Sequence, residues 1–196
     1  MKSIIKDSLI LFAITLVAGL LLAVVNELTK GPIAEAAIKQ KEDACKAVFE
    51  SASSFEEYSD LAIDMPDGSK VIIDEVYKAM DASGSLLGYV INVTSKEGYG
   101  GDISFSMGVT LDRHLNGISI LKSSETVGLG LEAETVLVPQ FRDKDVVSFT
   151  YTKVGSTNDS EIDAISSATI TTNAFVNAVN GGLSFFDSSL CEGGVN

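Results

Sequence analysis

The stretch Asp163-Ala-Ile-Ser166-Ser167-Ala168-Thr169-Ile170-Thr171-Thr172 decides how this chain is read. It places five hydroxyl side chains within seven residues, and directly after it Ala174, Phe175, Ala178 and Val179 fall at the spacing of one apolar helix face. That spacing predicts a helix over 173–186, with the hydroxyls where it begins. Two readings of such a cluster stand side by side. It can cap the orphan N–H groups of the first turn. It can also seat a phosphate, because a helix start offers unpaired donors and about half a positive charge.

Working outward, the sequence before this block changes period from about 3.6 to 2. Val71 to Met80 alternates as a strand, Asp81 to Ser85 reads as a turn, and Leu86 to Thr94 alternates again. Ile103 to Leu111, Ile118 to Lys122 and Val146 to Val154 continue the pattern, with a short helix expected at Leu131 to Val138. Short turns between neighbours make the strands antiparallel. A meander flanked by helices predicts an α+β domain. Ser51 to Ser69 reads as irregular, with Pro66-Asp67-Gly68 a turn signal.

Near the start of the chain, Ser8 to Asn26 runs uncharged between Asp7 and Glu27. At about 1.5 Å per residue these residues reach roughly 28 Å, enough for a bilayer core. Ser8, Thr15 and Gly19 are too few to make the polar stripe of a buried soluble helix. The long apolar run, followed by Asn26-Glu27-Leu28-Thr29-Lys30, also lacks the form of a cleaved leader. The expectation is an anchor helix broken at Gly31-Pro32, followed by an amphipathic helix over Ala34 to Glu50 whose end Phe49 and Phe55 fix to a core. Lys2 and Lys6 before the span, against Lys30 after it, place the N-terminus in the cytoplasm.

Of the chain's 27 acidic residues, all but Asp7 and Glu27 lie in residues 31–196, and the formal net charge is −13. So acidic a domain is no nucleic-acid surface. Cys45 and Cys191 lie far apart; they could pair as a disulfide or remain two thiols. His114 is the only histidine, so protein-ligated zinc, haem or iron–sulfur sites have few ligands to draw on. There is no dinucleotide fingerprint and no nucleophile–base set.

Two glycine-rich segments remain. Gly98-Tyr99-Gly100-Gly101 forces special backbone conformations, as a tight turn or a ligand-facing loop. Glu125-Thr126-Val127-Gly128-Leu129-Gly130 holds a leucine out on a turned loop, which needs an apolar partner.

Asp163-x-x-Ser166-Ser167-Ala168-Thr169-x-Thr171 resembles the flavinylation motif of the FMN-binding domain shared by the G subunit of the Rnf electron-transport complex and the C subunit of the sodium-pumping NADH:quinone oxidoreductase. The Glu125 to Gly130 loop resembles that family's Glu-Thr-Pro-Gly-Leu-Gly, with Val127 in place of proline. Asn26-Glu-Leu-Thr-Lys-Gly-Pro32 and the Gly98 to Gly101 segment resemble it too, in the same order. Ser167 stands where the family most often has glycine, which matters if that position needs a positive φ. The length is closer to the Rnf subunit.

The resemblance implies FMN bound covalently through its phosphate to Thr169. It implies that Ser166, Ser167 and Ala168 seat the phosphate, and that Thr126 and Leu129, on the loop with Glu125 and Gly128, flank the ring. It implies an electron relay in a ferredoxin:NAD oxidoreductase that moves Na⁺ or H⁺, with the other membrane subunits as partners. Thr169 is an unactivated alcohol, so the resemblance also implies an ApbE-type flavin transferase during maturation, and Asp163 serves its recognition or forms a turn. The chain then divides as 1–30, cytoplasmic tip and anchor; 31–70, connector packed on the domain; and 71–196, extracytoplasmic FMN-binding domain. The competing expectation is an anchored non-redox binding or assembly domain whose hydroxyl block is only a cap. Yellow colour that survives denaturation separates the two.

Overall fold

The computed structural model describes residues 2–59 and 68–191. Pro66 and Asp67, expected in a turn, lie outside the described residues; Gly68 beside them has φ +80°. Internal packing divides the chain into two units, Met1–Gln40 and Lys41–Asn196.

The first element, α1, runs from Lys2–Val48 with Pro32 inside it. The expected break at Gly31-Pro32 does not occur. An interior proline costs about 3 kcal/mol, but the alanines, lysines and glutamates that follow are strong helix formers and no new helix has to be nucleated. This helix is long and apolar enough to cross a membrane, and none of its most apolar window is buried within the protein.

In the second unit, β1 (Ser54–Glu57), β2 (Val71–Met80), β3 (Leu86–Ser95), β4 (Ile103–Thr110) and β5 (Leu115–Ser123) form one antiparallel sheet in that order. The expected α+β architecture is therefore present, with the strands at 71, 86 and 103 starting as read and β5 starting three residues early. The segment expected to be irregular contains β1, whose single large apolar residue is Phe55; it becomes a strand because the edge of β2 supplies its hydrogen bonds.

Each face of the sheet has its own core. On one face Ile91, Val93, Phe105 and Met107 meet α3 (Thr169–Phe185) through Ala174, Phe175, Ala178, Val179 and Leu183, all essentially unexposed. The rings of Phe105 and Phe175 stack at 5.6 Å. On the other face the last turn of α1 and the residue after it bury Cys45, Val48 and Phe49 against Ala79 and Val90. A Cβ at Gly108 would run into the Val48 carbonyl, so glycine there lets this turn lie on bare backbone. Cys45 is buried and Cys191 exposed, and both are free thiols.

The strand expected over 146–154 shrinks to Thr150–Thr152, which pairs in parallel with Glu161–Asp163. Side chains claim the backbone before it. Arg113 donates to the Val146 and Val147 carbonyls, and the Asn180 amide both accepts from Phe149 N–H and donates to its carbonyl. The helix expected at 131–138 is one turn, α2 (Ala133–Val136), between 3-10 turns at Gly130–Glu132 and Val138–Phe141.

Candidate functional site

Three segments distant in sequence meet at the start of α3: the 98–101 loop between β3 and β4, the 124–130 loop leaving β5, and the hydroxyl block itself. Between them lies a cleft of about 360 Å³ lined by Tyr99, Glu125, Thr126, Leu129, Gly130, Ser167, Ala168, Thr169, Ile170 and Thr171. That volume falls within the usual range for a small-molecule site.

Glu125 ties the three segments together. Only 7% exposed, it accepts the Gly100 N–H at Oε1 (3.0 Å) and the Thr171 hydroxyl at Oε2 (2.6 Å). Glycine is required around it. A Cβ at Gly130 would collide with Glu125 Oε2 and lie 2.7 Å from Thr171 Oγ1, while one at Gly100 would strike the Ser124 carbonyl. Thr126 begins the next turn, its carbonyl accepting from Leu129 and Leu131 N–H. Gly128 supplies the positive φ of that turn, +76°, which holds Leu129 at the cleft wall, 38% exposed.

The hydroxyl block is a tight turn entering a helix. Ser167 has φ +64°, the left-handed region that glycine tolerates best, so the requirement for a positive φ at this position is real. Ala168 is the residue before the first turn of α3 and has no side chain with which to cap it, so the donors of that turn are left open. Thr169 is the first helical residue, half-buried on the cleft, and its hydroxyl has no hydrogen-bond partner among the described residues. Ser166 is exposed and does not line the cleft, and neither does Gly128.

Two threonines of the block do other work than capping the first turn. Thr171 is buried on Glu125. Thr172 closes the turn behind the site, accepting the Ile165 N–H and donating to the Ala168 carbonyl, each at 3.1 Å. The helix starts four residues earlier than its apolar periodicity suggests, which carries both threonines inside it.

Asp163 ends the short strand Glu161–Asp163 and holds the loop that precedes it. Its carboxylate accepts the Ser156 N–H and hydroxyl. The Gln140 side chain brackets its backbone, accepting from Asp163 N–H at 2.7 Å and donating to its carbonyl at 3.2 Å. Tyr99, Gly130, Ile170 and Thr171 also line the cleft, beyond the residues that the motifs point to. Tyr99, an aromatic side chain between glycines and 70% exposed, is the one with a local signal.

The comparisons with known proteins fit this geometry. The family model described as FMN-binding domain matches residues 98–184, from the first glycine loop through α3, and the RnfG N-terminal region matches residues 1–48. The chain is 32% identical over 191 residues to the G subunit of the Na(+)-translocating ferredoxin:NAD(+) oxidoreductase complex of Acetobacterium woodii, covering 91% of this chain and 89% of that one. It is likewise 32% identical to the G subunit of the ion-translocating oxidoreductase complex of Methanosarcina acetivorans, covering 94% and 95%. Among solved structures, NqrC of Shewanella oneidensis shares the fold, with a TM-score of 0.50 and 20% identity over 69% of this chain and 67% of that one. By identity and by coverage from the anchor helix through α3, the chain belongs to the family of membrane-anchored G subunits of Rnf-type ion-translocating oxidoreductases, which carry an FMN-binding domain.

Proposed function

We propose that this domain carries FMN in the cleft, joined through its phosphate to Thr169, and relays electrons between subunits of an ion-translocating ferredoxin:NAD oxidoreductase. The observation that carries the reading is the start of α3. Its first-turn donors are uncapped, the turn is held in the left-handed conformation at Ser167, and an unpartnered threonine hydroxyl stands beside both on the cleft. A phosphate bonded to Thr169 would meet those donors and the positive end of a 17-residue helix. FMN supplies the one-electron chemistry when bound, and the chain's residues hold and surround it. Tyr99, Leu129 and Ile170 give the cleft apolar walls for a flat ring.

The Thr169 hydroxyl has no base beside it, so attachment falls to a separate transferase using FAD and Mg²⁺. The Thr169 oxygen bonds to the phosphorus of the FMN half, the pyrophosphate bond breaks, AMP leaves, and the hydroxyl proton passes to the transferase. Mature partners are the other membrane subunits of the complex. With Lys2 and Lys6 ahead of the span, the N-terminus is cytoplasmic and the FMN domain outside; resistance of that domain to protease added outside intact cells would overturn this orientation.

The decisive experiment is Thr169→Val, which keeps the β-branched shape and removes the hydroxyl. Produced together with the transferase, it folds and carries no covalent FMN, while Thr171→Val remains flavinylated. Peptide mass spectrometry reads both, and FMN still bonded in the Thr169 variant moves the attachment elsewhere.

A further inference from the structure

Glu125 is a buried carboxylate on the cleft whose partners are all neutral. Its oxygens take one backbone N–H and one hydroxyl, and it forms no ion pair among the described residues. None of the residues lining the cleft is Lys, Arg or His. Other acidic side chains of the domain do have cations: Glu75 has Lys41, Glu97 has Lys70, and Asp102 has Lys96.

A bracket alone does not call for a charge here. Glutamine would fill the same space, accept from Gly100 N–H through its carbonyl, and donate its amide to the Thr171 oxygen. It would also avoid the cost of burying a carboxylate without a counter-ion. What glutamine lacks is the negative charge, and a charge held away from water, as at Glu125, acts more strongly on its neighbours than one in solvent.

We propose that Glu125 lowers the electron affinity of the redox group held in this cleft, so that it passes an electron on readily instead of retaining it. The inference rests on the FMN reading above. Each added electron brings negative charge into a space that already holds one carboxylate and no cation, which opposes reduction. No bond forms or breaks at Glu125 and no proton is transferred there; the electron enters from the donor subunit and leaves to the acceptor subunit. Glu125 is thus a tuning residue as well as a bracket.

The test uses the full chain in detergent, loaded with FMN and titrated with dithionite and ferricyanide while the flavin spectrum is followed. Glu125→Gln should shift the reduction equilibrium about tenfold toward the reduced form, which is 59 mV for a one-electron couple. The flavin-free Glu125→Gln chain should melt no lower than the unaltered one. An unchanged potential in the loaded, folded variant overturns the proposal, and a lower melting temperature with unchanged potential makes Glu125 a bracket only. If that variant does not fold, Thr126→Lys places a cation on the cleft wall without disturbing the Glu125 hydrogen bonds. It should shift the equilibrium in the same direction, and no shift there also overturns the proposal. Mass spectrometry of the Thr169 peptide accompanies every titration, so absence of FMN from the unaltered chain counts against the FMN reading and not against Glu125.

Discussion

Glu75, on the sheet face covered by the end of α1, is met by a cation, whereas Glu125, beside the start of α3, is met only by neutral donors. At Glu75 both oxygens take Lys41 Nζ, at 2.7 and 2.8 Å, and one also takes the Tyr77 hydroxyl and the Asn92 amide. The Asn92 carbonyl oxygen in turn accepts from Ser106, so the network crosses three strands. Burial pushes the Glu75 carboxyl up, but the hydrogen bonds from Lys41 and Tyr77, the Lys41 charge and the Asn92 amide together hold it below the usual glutamate value. Burial, and then the Glu75 charge, raise the neighbouring Cys45 thiol to about 11, which keeps it protonated and inert. The charge at Glu75 is used up in fastening Lys41, on the C-terminal part of α1, to the sheet. The charge at Glu125 has no such partner, and its field reaches into the cleft.

The sharpest way to break the contrast is at Thr171. Thr171→Val keeps the shape of the side chain and removes the donor to Glu125 Oε2, leaving a buried carboxylate oxygen without its partner. Such a loss costs about 1–3 kcal/mol, more than a helix cap of moderate strength, and a denaturant melt should show it. A loss below half a kcal/mol would mean that Glu125 does not depend on this bond.

The smaller test is at Glu75, whose ion pair is partly exposed. Lys41→Met should cost about 1 kcal/mol, because an ion pair of this kind contributes modestly. Since the folded Glu75 pKa lies below the ordinary value of 4.5, its contribution is fully present above that pH and is lost as the pH falls through the folded value. Melts between neutral pH and pH 3 should therefore show a shallower acid loss in Lys41→Met than in the unaltered chain. Equal slopes would take the pH dependence away from this pair.

Smallest is Ser167→Gly. It removes a side chain from the left-handed region at φ +64°, with a gain reduced by the added freedom of glycine in the unfolded chain. The net is about 0.5–1 kcal/mol of stabilisation, read as a small rise in melting temperature. A fall would show that the Ser167 side chain contributes contacts that outweigh its strain.

Whatever rests on neighbours along the chain is legible in the amino-acid order. Alternation in Val71 to Met80 and Leu86 to Thr94 places strands because a pleated strand has a period of two, and the uncharged run from Ser8 to Asn26 makes a membrane-length helix because every peptide group bonds within it. The hydroxyl block was legible as a helix start, and the position of Ser167 raised the question of a positive φ. Tertiary structure decided what depends on distant partners. Thr171 reads as a cap until Glu125, 46 residues away, is found holding its hydroxyl. Residues 146–149 alternate like a strand, yet Arg113 and Asn180 take the backbone groups that a ladder would have used. β1 has almost no strand pattern and forms because β2 leaves it an edge to pair with. Local periodicity names an element, but a backbone group or carboxylate bonds to whichever partner the fold brings near, and that partner is not encoded in its own stretch of sequence.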